Sequence, residues 1–267
     1  MLPKSDPFST KSWGMAAPII APIEQLSTRP FLPFFQFSCY KKMPGIRVRT
    51  DFSLTPVDIK RIDKSDPEYP NSLIHHLAND APDSVTAIGN LAILNQRKVA
   101  IFCSASCPAE IISQTYDFIQ KLVDARVLVI GGFHSPVERE CLSILLRGAQ
   151  PIILFPARSL VKLRIRPEHK EPLEKGRLLF LSFFRSHRHR SDVEMATRRN
   201  RFVAALAEKI FIPFAAPGSK TEHFCRELIA WGKPVYTIAN EANQNLLKLG
   251  LKPVTVEQAG GLLSYSF

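Results

Sequence analysis

The residues best suited to chemistry are cations. Glu194-Met195-Ala196-Thr197-Arg198-Arg199-Asn200-Arg201-Phe202-Val203 carries three arginines on a segment with helical periodicity. At 100° per residue, Met195, Phe202, Val203 and Leu206 share one apolar stripe, and Arg199 falls inside it. A charge placed there must find a partner, and the partner is expected at a sheet edge. The first turns of a helix disfavour cations, so three arginines at that position imply a bound anion. The competing reading is an internal ion pair for Arg199, with Arg198 and Arg201 solvated. Just upstream, Phe183 and Phe184 lead into a basic run holding Arg185, Arg188 and Arg190. Aromatics beside cations can stack bases and neutralise phosphates, although the phenylalanines could equally finish a buried strand.

Two glycine loops extend this chemistry. Gly131-Gly132-Phe133-His134-Ser135-Pro136-Val137-Glu138 and Ala216-Pro217-Gly218-Ser219-Lys220-Thr221-Glu222 each follow an apolar run. Ser135 with Glu138 and Ser219 with Glu222 have capping-box spacing, and Pro136 suits the first helical position. Ser191 with Glu194 is a third box. Gly131, Gly132 and Gly218 let backbone N–H groups come close to a ligand at a helix N-terminus, where an anion is favoured. A phosphate fits, so Gly131, Gly132, Ser135, Gly218, Ser219 and Thr221 are expected to cradle one, with Lys220 alongside. Neither loop has dinucleotide or P-loop glycine spacing. A loop that merely starts a helix well would look the same.

No catalytic constellation can be read. His75, His76, His134, His169 and His223 are scattered, and no metal-ligand spacing stands out. The five cysteines (Cys39, Cys103, Cys107, Cys141 and Cys225) are an odd count without a disulfide framework, which points to a reduced, cytoplasmic protein. Cys103 and Cys107 lack a second ligand pair and read as small buried residues. No cofactor and no metal is expected.

The elements that must position these residues begin at Lys98. Apolar runs near 98–103, 127–130, 151–155, 178–183, 210–214 and 234–238 alternate with amphipathic segments near 108–123, 136–148, 192–208, 220–231 and 242–249. Continuous apolar strands between helices predict a doubly wound, mostly parallel α/β sheet, Rossmann-like, with about six strands and helices on both faces. Ligands of such sheets bind beyond the carboxyl ends of the strands. The 267 residues are 45% hydrophobic, enough for a sizeable core, and no apolar stretch is long enough to span a membrane. Residues 1–45, rich in Pro, Ser and Phe, read as a disordered tail; 46–96 reads as a lead-in and 97–267 as the domain. The net charge of +11 is uneven. Residues 151–201 hold 13 Lys and Arg against 5 Asp and Glu, whereas 51–150 are net acidic. Such a block suits an acidic partner.

The stretch from Tyr69 to about Val254 resembles the DNA-processing protein A (DprA/Smf) family. Tyr69-Pro70 with Leu73 resembles its entry motif, Lys98 to Ser104 its first strand, and Val127 to Gly132 its second. Leu145 to Leu154 resembles the next segment. Arg199-Asn200-Arg201-Phe202-Val203-Ala204 to Leu206 fits the R-N-R motif, the most specific match. Trp231 to Ile238 and Asn245-Leu-Leu-Lys-Leu-Gly250 follow in order. Ser104-Ala105-Ser106 stands where the family has G-S-R, Ser182-Phe183 where it has S-E, and both glycine loops depart from its pattern. The resemblance implies single-stranded DNA binding, delivery of DNA to RecA, a role in DNA uptake by transformation, and a homodimer, without catalysis. Binding would involve Arg185, Arg188, Arg190, Arg198, Arg199, Arg201 and Lys220.

The order of an arginine helix, a strand and then Pro217-Gly218-Ser219-Lys220-Thr221-Glu222 also resembles the Lonely Guy phosphoribohydrolases. Phe224 occupies the place of their catalytic glutamate, so hydrolysis of a nucleotide ranks second. An eroded, purely structural pocket is the third reading.

Overall fold

A computed structural model describes residues 58–184 and 193–263. Within them the chain forms one nine-stranded sheet. In chain order the elements are β1 (Lys60–Asp63), α1 (Asn71–Leu77), β2 (Ser84–Gly89), β3 (Lys98–Ile101), α2 (Ala109–Asp124), β4 (Leu128–Gly131), α3 (Pro136–Arg147), β5 (Ile152–Leu154) and α4 (Pro167–Glu174). They continue as β6 (Leu178–Ser182), α5 (Val193–Leu206), β7 (Lys209–Phe211), α6 (Lys220–Ala230), β8 (Val235–Ile238), α7 (Gln244–Lys248) and β9 (Lys252–Val254).

The spatial order is β1-β2-β6-β5-β4-β3-β7-β8-β9. Pairing from β6 through β9 is parallel throughout, while β2 joins β6 antiparallel and β1 joins β2 antiparallel. The predicted doubly wound architecture is therefore the observed one, enlarged. Period-two alternation divides each parallel strand between two cores. Ala100, Ile130, Ile153, Leu179 and Ile210 face a core completed by α1, α5, α6 and α7, through residues such as Leu73, Phe202, Leu228 and Leu246. Val99, Val129, Ile152, Phe180 and Phe211 face a second core closed by α2 and α3, through Ile111, Phe118, Val137 and Leu145.

Three strands and one helix go beyond the six expected strands, each for a physical reason. β2 is a six-residue run with partly exposed alternate positions, so it lacks the continuous apolar signature of its neighbours. β9 contains Pro253, which is tolerated because β9 pairs only with β8. β1 reads Lys-Arg-Ile-Asp and buries only Ile62. α4 carries Pro172 within it, a residue that argues against a helix when only the sequence is seen. The lead-in is structured from β1 onward. Tyr69 is buried, its Oη donates to the Pro82 carbonyl at 2.7 Å, and Leu73 is fully buried. Residues 1–57, including the predicted tail, lie outside the described residues.

The topology fixes where a ligand can sit. After β3 the chain turns to one side, toward β4 and β5; β7, on β3's other flank, is followed by β8 and β9. The loops leaving β3 and β7 therefore diverge at their carboxyl ends and open a crevice between them.

Candidate nucleic-acid interface

The β4–α3 junction forms its predicted capping box. Ser135 Oγ accepts the Glu138 N–H at 3.3 Å. The Glu138 side chain, only 6% exposed, does more than cap. Its Oε2 accepts the His134 N–H at 2.8 Å, and its Oε1 accepts the Cys103 N–H at 2.9 Å. One carboxylate thus clamps the end of β4 to the end of β3. It also occupies the His134 amide, which sequence reasoning offered to a phosphate.

Arg199 explains the neighbouring glycine. Its side chain is 4% exposed, on the α5 face toward the sheet. A Cβ built on Gly132 would overlap the Arg199 guanidinium, meeting Nη1, Cζ and Nε. Gly132 is the residue that lets this cation lie against the backbone. Nε donates to Asn200 Oδ1 at 2.8 Å. No carboxylate lies within ion-pair distance of Arg199 among the described residues. Burial lowers its pKa and the field of Glu138 opposes that shift. An arginine stays charged under such a shift. The expected partner at the sheet edge is thus a backbone glycine and a nearby charge, not a direct ion pair.

The β7–α6 junction repeats the device with a different outcome. Ser219 Oγ accepts the Glu222 N–H at 3.2 Å, and Glu222 Oε2 accepts the Gly218 N–H at 2.8 Å. Asn245 Nδ2 donates to Glu222 Oε1 at 2.7 Å and to the Ala215 carbonyl at 3.0 Å. Bonds from Asn245 and the Gly218 amide hold the Glu222 carboxyl below its usual range. Gly218 has φ +71°, and nothing stands within 4 Å of where its Cβ would be. The loop is tied to β3 through Ser104, whose Oγ accepts the Ala216 N–H at 3.3 Å and lies 3.4 Å from Ser219 Oγ.

Between the two junctions lies a cavity of about 1030 Å³. Gly132, Arg199, Gly218, Lys220 and Thr221 all line it, so the structure brings these predicted residues together. Gly131, Ser135, Ser219, Arg198 and Arg201 are not on its wall. Gly131 is packed against Phe133 and Ile101, and the two serines serve as caps. Arg198 lies over the Phe183 ring at 5.4 Å. Arg201 pairs with Glu227 and with Asp80 at 3.1 Å, which bridges α5 to α6 and to the turn after α1. Phe183 and Phe184 finish the strand and pack inward; Phe183 stacks on Phe202 at 4.9 Å and Phe155 at 5.7 Å. Arg185, Arg188, Arg190 and Ser191 lie outside the described residues.

Sequence reasoning missed two cavity cations, Arg158 and Arg166. Arg158 Nε is buried without a hydrogen-bond partner among the described residues. The signal was present as the charge excess of residues 151–201, but the segment between β5 and α4 has no period to show which of its cations turn inward. The cavity also exposes the edge of Phe102, which meets Phe224 edge-on at 5.2 Å. It therefore offers four cations, two helix N-termini and an aromatic surface.

A family model for DNA recombination-mediator protein A matches residues 60–259. The chain belongs to that family. No curated protein matches it. Among solved structures, DNA processing protein A from Streptococcus pneumoniae superposes with a TM-score of 0.65 at 21% identity, over 78% of this chain and 75% of that one. DNA processing protein A from Helicobacter pylori, described for its single-stranded DNA binding mode, gives 0.64 at 18% identity over 78% and 97%. At these identities the two structures establish the shared fold. Among the described residues no helix is long and apolar enough to cross a membrane.

Proposed function

We propose that this recombination-mediator chain binds single-stranded DNA across the crevice between β3 and β7. Arg199, Arg158, Arg166 and Lys220 face the phosphates, and the Gly218 loop with the α6 N-terminus supplies a cradle. Arg198 and the stretch from Arg185 to Arg190 extend the track beyond the cavity. In this reading the bound strand is passed to RecA, the protein works as a cytoplasmic homodimer, and DNA taken up by transformation is one source of strand. The observation that carries it is Arg199, a buried cation held against Gly132 without an ion-pair partner among the described residues, on the wall of a cavity with three more cations. A phosphate would complete its charge balance.

No catalysis is part of this reading. Glu222, the nearest acid to the place a phosphoribohydrolase would use, is held by Asn245 and the Gly218 amide, and Phe224 packs on Phe102.

Fluorescence anisotropy on labelled oligothymidine tests the proposal. Four phosphate contacts predict that log K falls with log salt at a slope of about −3. Absence of salt-sensitive binding at low ionic strength would refute it. Release of free base from nucleoside monophosphates would favour the hydrolase instead.

A further inference from the structure

Cys103 and Cys107 flank the loop that leaves β3 toward α2. Cys103 is buried and lies on the cavity wall, and Cys107 is only partly buried, against the same core as Cys141. Cys107 immediately precedes Pro108, the N-cap of the 16-residue α2. A sulfur there sits at the positive end of the helix dipole, which favours thiolate. The two thiols are hydrogen-bonded to each other. The buried Cys103 is pushed far up by that bond and by burial, while the more open Cys107 is held down as the acceptor.

We infer that Cys107 is a thiol-oxidation site resolved by Cys103, with a hydroperoxide as the oxidant class. The Cys107 thiolate attacks the distal peroxide oxygen. An S–O bond forms, the O–O bond breaks, and the departing alkoxide takes a proton from solvent. Sulfur loses two electrons and the peroxide gains them. Cys103 Sγ then attacks Cys107 Sγ. The S–S bond forms, the S–O bond breaks, and hydroxide leaves as water with the Cys103 proton. The closed ring contains Ser104, whose hydroxyl holds the β7–α6 loop through Ala216 and Ser219. Oxidation therefore reshapes the contact between β3 and that loop. The assignment does not depend on what the cavity binds.

The test is differential alkylation with peptide mapping on the full chain, before and after a hydroperoxide. In the reduced chain Cys107 should alkylate about tenfold faster than Cys141 and Cys225, which are buried. After oxidation the peptide holding Cys103 and Cys107 should be lighter by two hydrogens and resist alkylation. Cys103→Ser should leave a sulfenate on Cys107 that a dione probe traps, and Cys107→Ser should leave Cys103 reduced. Circular dichroism checks that both variants fold. The inference fails if Cys107 still alkylates after peroxide, if it pairs with Cys39, or if Cys103 oxidises equally well in Cys107→Ser.

Discussion

The β4–α3 and β7–α6 junctions share one sequence device and use it for opposite ends. Each has a serine cap, a glutamate three residues on, and a carboxylate oxygen accepting the N–H of the residue before the serine. At the first, Glu138 is buried, clamps two strands and sits near a buried arginine that fills the space over Gly132. At the second, Glu222 is fixed from outside by Asn245, and Gly218 opens onto empty space. Gly132 is small so that a side chain can approach, whereas Gly218 is glycine because its backbone turns left-handed. A capping box identifies a helix start; what its loop does is decided by which neighbour reaches it.

The sharpest way to break this comparison is at Arg199. Arg199→Met keeps the volume and removes the charge. Losing charge-assisted bonds worth about 1.5–3 kcal/mol predicts oligothymidine affinity reduced about 10- to 100-fold by anisotropy. Thermal stability should change little, since replacing a buried charge by an apolar chain is often neutral. Unchanged binding would reduce Arg199 to a packing residue.

Glu138→Gln comes next. Its amide would bring a donor to a position where two N–H groups now meet acceptors. A loss of about 1–3 kcal/mol in denaturant unfolding is expected.

The two glycines should then separate. Gly132→Ala displaces the guanidinium and should cost about tenfold in affinity, with some loss of stability from overpacking. Gly218→Ala strains a positive φ by about 1 kcal/mol, and its affinity should stay within about twofold, because nothing crowds the new methyl. Equal effects on binding would erase the distinction between a packed and an open loop.

The smallest effect concerns pH. The Glu222 carboxyl is held below its ordinary range in the folded chain. Its contribution is therefore complete above that range and is lost as pH falls through the folded value. Melting temperature should fall on acidification more in the natural chain than in Glu222→Gln.

The parallel sheet was legible because its strands are continuous apolar runs between capped helices. Arg199 was legible because a charge on an apolar stripe contradicts its surroundings. Arg158 and Arg166 were not, since they occupy an irregular segment with no period to orient them. The second role of Glu138 was hidden for a similar reason. Its cap is local, but its bond to Cys103 spans 35 residues and depends on β3 lying beside β4. Arg201 shows the reverse error of inference: its composition suggested a ligand, and its partners Asp80 and Glu227 come from distant elements.

The two margins of the sheet carry a consequence for self-association. β1 presents Lys60, Arg61 and Asp63 along its length, and β9 presents Lys252 followed by a proline that cannot donate to another strand. A second copy that tried to extend the sheet at either margin would meet charge at one and a missing donor at the other. Runaway strand addition is thereby blocked in a chain whose interior strands are as apolar as any fibril former, so copies that pair must do so through helices or loops.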